Sequence, residues 1–155
     1  MKIPTILFGA ATLGVAACDT VPPTAAPGGP VASVTVTTAN KAPHGAYLVD
    51  GSGRALYVLE GTRGAPGTER CGEDCRAVWP SLMAVNTPVG GPAIDASALT
   101  ARPAYGGSQV TYSGWPLYYY VRDTAPGDTT GQHVQDKWGM WHLVSPSGEP
   151  IRPAM

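Results

Sequence analysis

The sequence predicts an all-β fold: one small domain of two degenerate β-hairpin repeats, with one or two short helical turns. Three observations point there. The chain carries 20 Gly and 16 Pro among 155 residues, a density of breakers that suits many tight turns between short strands. Three segments read as short strands joined by a glycine turn, namely LVDGSGRAL (Leu48 to Leu56), VTYSGWPLYYY (Val110 to Tyr120) and LVSPSGEPI (Leu143 to Ile151). The chain also resembles itself. Leu56-Tyr57 then Ala65-Pro66-Gly67 in the first half answers Leu117-Tyr118 then Ala125-Pro126-Gly127 in the second, at offsets of 61 and 60 residues. The unit is a hairpin, an Ala-Pro-Gly turn and a tryptophan segment, holding Trp79 in the first copy and Trp138 with Trp141 in the second.

Taken from the N-terminus, MKIPTILFGAATLGVAAC has one basic residue, Lys2, and then an uncharged apolar run closing on small residues, the layout of a secretory signal over residues 1–17. The run is short for a membrane span. Its ending, Val15-Ala16-Ala17-Cys18, resembles the lipobox of bacterial lipoproteins, which implies lipidation of Cys18 and anchoring in the lipid bilayer on the periplasmic side of the cell envelope. Removal of the leader takes Lys2 with it and leaves 9 basic against 11 acidic residues. The acyl chains alone would then hold the protein at an anionic membrane. Asp19 directly after the cysteine resembles an inner-membrane retention signal of enteric bacteria. DTVPPTAAPGGPVA completes a Pro- and Gly-rich tether over residues 18–32, which would hold the domain of residues 33–155 off the membrane surface.

In an oxidising compartment, with Cys18 lipidated, Cys71 and Cys75 form an even pair, and CGEDC is expected to close as a structural disulfide. A redox dithiol and a metal site compete with that expectation. The first is weakened by the three-residue spacing and by Glu73 and Asp74, which raise a thiol pKa, and the second by the lack of two further ligands nearby. Two short helical turns are predicted, one in DCRAVW capped by Asp74 and ended by Pro80, and one in IDASAL capped by Asp95.

The stretch LYYYVRD, Leu117 to Asp123, is predicted to alternate as a strand. Leu117, Tyr119 and Val121 would face the core, while Tyr118 and Tyr120 line the opposite face with wet or hydrogen-bonded hydroxyls. Asp123 follows in a turn. Tyr118, Tyr120 and Asp123 are thus either a framework that fixes the turn or a ligand-contact surface. These residues, with APGDTTGQ after them and CGEDCRAVWPSL before, resemble the predicted bacterial lipoproteins described by a Tyr-x-aromatic-x-x-Asp motif, a secreted repeat of unknown function. The resemblance spans about residues 45 to 150. The first copy departs from the motif, with Leu59 at the aromatic position and Thr62 at the aspartate.

Composition excludes some functions. Charged residues make up 14% of the chain, the formal net charge is −1 and no Lys/Arg block occurs, so nucleic acid is not an expected partner. No Ser/His/Asp frame, HExxH or phosphate-cradling loop is present, and no enzyme is expected. Asp123 and Asp128 suit a turn better than acid–base work. In KWGMWHLV, a strand would put Trp138, Met140 and His142 on one face and Gly139, Trp141 and Leu143 on the other. Thioether with imidazole suits copper, and His133 or Met83 could join Met140 and His142. A copper or haem module is therefore the rival to a non-catalytic binding or structural module that meets an envelope protein or small ligand.

Overall fold

The computed structural model describes residues 33–65 and 70–153. The leader, Cys18, the tether and Pro66-Gly67 of the first Ala-Pro-Gly turn lie outside the described residues. Ten strands and one short helix follow in order: β1 (Thr35–Lys41), β2 (Gly45–Asp50), β3 (Tyr57–Leu59), α1 (Glu73–Val78), β4 (Met83–Ala84), β5 (Val89–Gly90), β6 (Leu99–Ala104), β7 (Gly107–Tyr112), β8 (Trp115–Pro116), β9 (Gln135–Asp136) and β10 (Gly139–Leu143). They make three small sheets, β2-β1-β5, β3-β10-β9 and β4-β7-β6, with β8 pairing β7. The all-β expectation holds.

All three predicted hairpins form. Ser113 and Gly114 both take positive φ, 48° and 82°, and join β7 to β8 as a two-residue turn whose twist suits the flanking strands. Around Gly53 (φ 87°), Asp50 N–H donates to Arg54 O and Leu56 N–H to Leu48 O, while around Gly148 (φ 80°), Ser145 N–H donates to Glu149 O and Ile151 N–H to Leu143 O.

The strands between these turns have apolar layers on both faces. Leu48, Leu56, Val58, Val110, Tyr112, Leu117 and Val144 belong to one buried cluster. Tyr47, Val49, Tyr57, Leu59, Tyr118, Tyr120, Trp141 and Leu143 belong to a second, aromatic one that also holds Trp79 and both cysteines. Alternate residues of β2, β3 and the β10 segment therefore feed different cores, as expected of strands buried on both sides. This corrects the expected division of LYYYVRD into a core face and a wet face. Tyr118 is fully buried and Tyr120 nearly so, whereas Val121 is 45% exposed. Nor is the stretch a regular strand: Tyr118 makes isolated bridges with Tyr57 and Ser81, and beyond it Tyr119 N–H and Val121 N–H donate to Pro80 O and Val78 O.

Neither predicted helix cap is as expected. Gly72, in extended conformation, occupies the N-cap of α1 without a side-chain cap. Asp74 instead joins Glu73 in the first turn, where a negative charge favours the helix dipole, and the helix stops at Trp79 before Pro80. Asp95 opens a hydrogen-bonded turn rather than a helix, its Oδ1 accepting Ser97 N–H at 2.9 Å and Ser97 O–H at 2.6 Å. Its short side chain competes for the backbone donors that a helix would need.

Candidate functional site

The two copies meet at equivalent residues. Tyr57 and Tyr118, the same position of each copy, exchange both backbone hydrogen bonds, 2.8 Å from Tyr57 N–H to Tyr118 O and 2.9 Å in return. Trp79 and Trp141, from the two tryptophan segments, stack with centroids 4.0 Å apart and planes 8° from parallel. Both indoles donate to one oxygen, Asp136 Oδ2, at 2.8 and 3.0 Å. Asp136 Oδ1 also accepts the amides of Trp138 and Gly139, so the carboxylate that clamps the ring pair is itself held by the β9–β10 turn.

Each part of LYYYVRD has a task around this stack. Tyr118 meets Trp141 edge to face at 5.3 Å, and Tyr120 stacks on the other side of Trp79 at 4.2 Å, geometries in which aromatic quadrupoles attract. Tyr119 packs with Leu117 on the other core cluster, as expected, and its hydroxyl donates to Asp50 Oδ2 at 2.9 Å while Arg54 lies 4.2 Å over its ring, bracing the first hairpin from the second copy. Asp123, 6% exposed, accepts the Tyr57 hydroxyl at 2.6 Å and the amide and hydroxyl of Thr130 at 2.9 and 2.6 Å. The motif aspartate of one copy thus holds the motif tyrosine of the other, 66 positions away.

Burial, then the hydrogen bond to Asp123 and its negative charge, raise the Tyr57 pKa far above its ordinary value, so the phenol remains a donor. Tyr118 is likewise raised, by burial first and by its hydrogen bond with Tyr105 second. Room for the Tyr57 ring depends on Gly131. A β-carbon there would stand 2.8 Å from Tyr57 Cζ and 3.0 Å from Trp79 Cζ3. In the first copy, Thr62 occupies the aspartate position fully buried, and its hydroxyl closes locally on Leu59 O at 2.7 Å.

Cys71 and Cys75 are joined as a disulfide with Cα atoms 5.0 Å apart, both fully buried against the aromatic cluster. Asp128 accepts the amides of Thr124 and Ala125 at 2.9 Å each, which makes it a turn residue. The proposed copper set is brought together only in part. His133 and His142 face each other with ring centroids 5.4 Å apart, Met140 is half-buried on β10 two residues before His142, and Met83 is on β4 in another sheet. Burial lowers the His142 pKa, an effect that the Glu60 carboxylate opposes. Among the described residues no three His, Cys, Asp or Glu side chains gather closely enough to hold a metal ion.

Three surface concavities lie elsewhere. One of about 260 Å³ is lined by Gly64, Arg102, Gln109 and Thr111, one of about 550 Å³ by Val85, Thr87 and Thr100, and one of about 260 Å³ by Arg76, Met83 and Tyr105. None is lined by Tyr118, Tyr120 or Asp123. Sequence reasoning missed Tyr57, Trp79, Asp136 and Gly131. The repeat offset was the available signal for the first two, since Tyr57 and Trp79 meet their counterparts Tyr118 and Trp141 in the second copy.

No described helix is long and apolar enough to cross a membrane. No curated protein and no solved structure matches the chain. A family model described as a secreted repeat of unknown function matches residues 99–145, from β6 through β10, a span that holds the whole motif and suggests an extracytoplasmic protein.

Proposed function

We propose that this chain is a lipid-anchored, non-catalytic module of the bacterial cell envelope, and that its Tyr-x-Tyr-x-x-Asp motif is an internal brace between two repeat copies rather than a ligand surface. The observation that carries the brace is burial: Tyr118, Tyr120 and Asp123 are 0, 6 and 6% exposed, and their contacts run to Trp141, Trp79 and Tyr57. A ligand would have to displace the core to reach them. A catalytic role for Asp123 is disfavoured on the same ground, because its carboxylate already accepts three hydrogen bonds. An envelope protein or small ligand would be met by surface outside the motif.

Anchoring is supported by the Val15-Ala16-Ala17-Cys18 ending, by the match to a secreted repeat and by a disulfide suited to an oxidising compartment. Fractionation of a bacterial host expressing the parent and Cys18→Ala tests it. The parent should label with a fatty-acid probe and sediment with membranes, and the variant should not label and should be either unprocessed or released from the membrane fraction. A variant that still labels overturns the anchor.

A further inference from the structure

His142 is buried to 4% exposure, and neither ring nitrogen completes a hydrogen bond of good geometry, although the Ile151 backbone lies close enough to favour the protonated ring. The nearest charge, Glu60 Oε1, stands 3.8 Å from Nε2, beyond hydrogen-bond reach. A buried imidazole without a well-formed hydrogen bond is costly, and a ligand, an ion or an ordered water would complete it. What faces it is a second imidazole. The His133 ring lies 5.4 Å away at 75°, and two imidazoles bound to one ion at about 2.0 to 2.1 Å would place their centroids roughly 5 to 6 Å apart.

Two further features concern His133. Its backbone takes φ 59°, a left-handed conformation unfavourable for a side chain with a β-carbon, and such strain persists where surroundings hold a residue to a task. Its Nε2 lies 3.1 Å from Ile151 O, with the Gln132 amide nitrogen 2.9 Å away. Gln132 also donates to the same carbonyl at 2.8 Å, so the His133 ring is oriented by Gln132 and Ile151 O together, the part that outer hydrogen bonds play around metal-bound histidines. Arg152 holds the nearby Glu60 through Oε1 at 2.9 Å, so a carboxylate borders the pair without filling the gap.

We propose that His133 and His142 form a two-imidazole site for a single transition-metal ion, copper(II) ahead of zinc(II) by the general affinity order, with water completing the coordination. The ion would enter from the exposed His133 side.

Copper(II) titration of the purified full chain, with glycine as competitor, tests the site. The parent should take up one equivalent, quench tryptophan fluorescence through the neighbouring Trp141, show nitrogen coupling from two imidazoles by electron paramagnetic resonance, and retain copper against equimolar zinc(II). His133→Ala should bind copper at least ten-fold more weakly while its metal-free melting temperature stays at the parental value. If His142→Gln fails to fold, His133→Ala decides alone. Absence of one-equivalent binding by the parent, or parental affinity in His133→Ala, overturns the proposal. The brace between the copies is untouched by either outcome.

Discussion

Replacing Asp123 by alanine deletes the acceptor that joins the two copies, and the structure sets the size of the loss. Three hydrogen bonds go. The two from Thr130 originate on an exposed residue, which water can satisfy, so they contribute little. The third comes from the Tyr57 hydroxyl, on a side chain with no exposure, and a buried donor left unsatisfied by a charged partner costs about 2 to 3 kcal/mol. Tyr57→Phe removes the donor instead and leaves Asp123 with its Thr130 bonds. It should cost less, about 1 to 2 kcal/mol, although Gly131 N–H then loses the 3.3 Å contact to the hydroxyl. In the double variant neither group is stranded, so the two losses should fail to add by about 1 kcal/mol or more. Urea unfolding of the four proteins reads these energies from midpoints at an unchanged slope. A loss below about 0.5 kcal/mol for Asp123→Ala, with additive effects in the cycle, would refute the brace, since surface substitutions fall in that range.

Gly131→Ala should destabilise by about 1 to 3 kcal/mol, because the new methyl meets the Tyr57 and Trp79 rings at 2.8 to 3.0 Å, and thermal melts will show it. Cys71 and Cys75, both fully buried, should resist thiol reagents until reduced, and reduction should lower the melting temperature while leaving the fold intact, because so short a loop is worth about 2 kcal/mol. Acid should loosen the first hairpin through Asp50. Burial raises its pKa, but bonds from Ser52, Arg54 and Tyr119 outweigh burial and leave it lowered, so its stabilisation is present above the unfolded value of about 4 and is lost as pH falls below it. Asp50→Asn should flatten the stability profile below about pH 4 relative to the parent.

Much of the fold was legible because glycine turns announce themselves locally. Ser113-Gly114, Gly53 and Gly148 each close the hairpin that the sequence marks, and the cysteine pair needed only its spacing and compartment. The side-chain pattern of LYYYVRD is less legible, because alternation separates a dry face from a wet one only where one side of a strand meets water. Here the segment runs between two cores, so Leu117 and Tyr118 are both fully buried and consecutive apolar residues carry no face signal. Long-range pairings were the least visible. Nothing local links Tyr57 to Asp123 or Trp79 to Asp136, and Asp136 is an ordinary turn residue until the fold brings two indoles to it. The departure of the first copy from the motif is clearer with the structure, since Thr62 fills a buried position where its hydroxyl satisfies itself on Leu59 O.

The claim that the two copies are locked together at their equivalent tyrosines is tested most directly by native-state hydrogen exchange at two amides, Tyr57 and Tyr118. Each donates to the other's carbonyl, at 2.8 and 2.9 Å, between fully buried residues. Both should exchange only through global unfolding, with matching protection that falls in step when Asp123 is replaced by alanine. Fast exchange at either amide, at the rate of an exposed loop and indifferent to that substitution, would contradict the account.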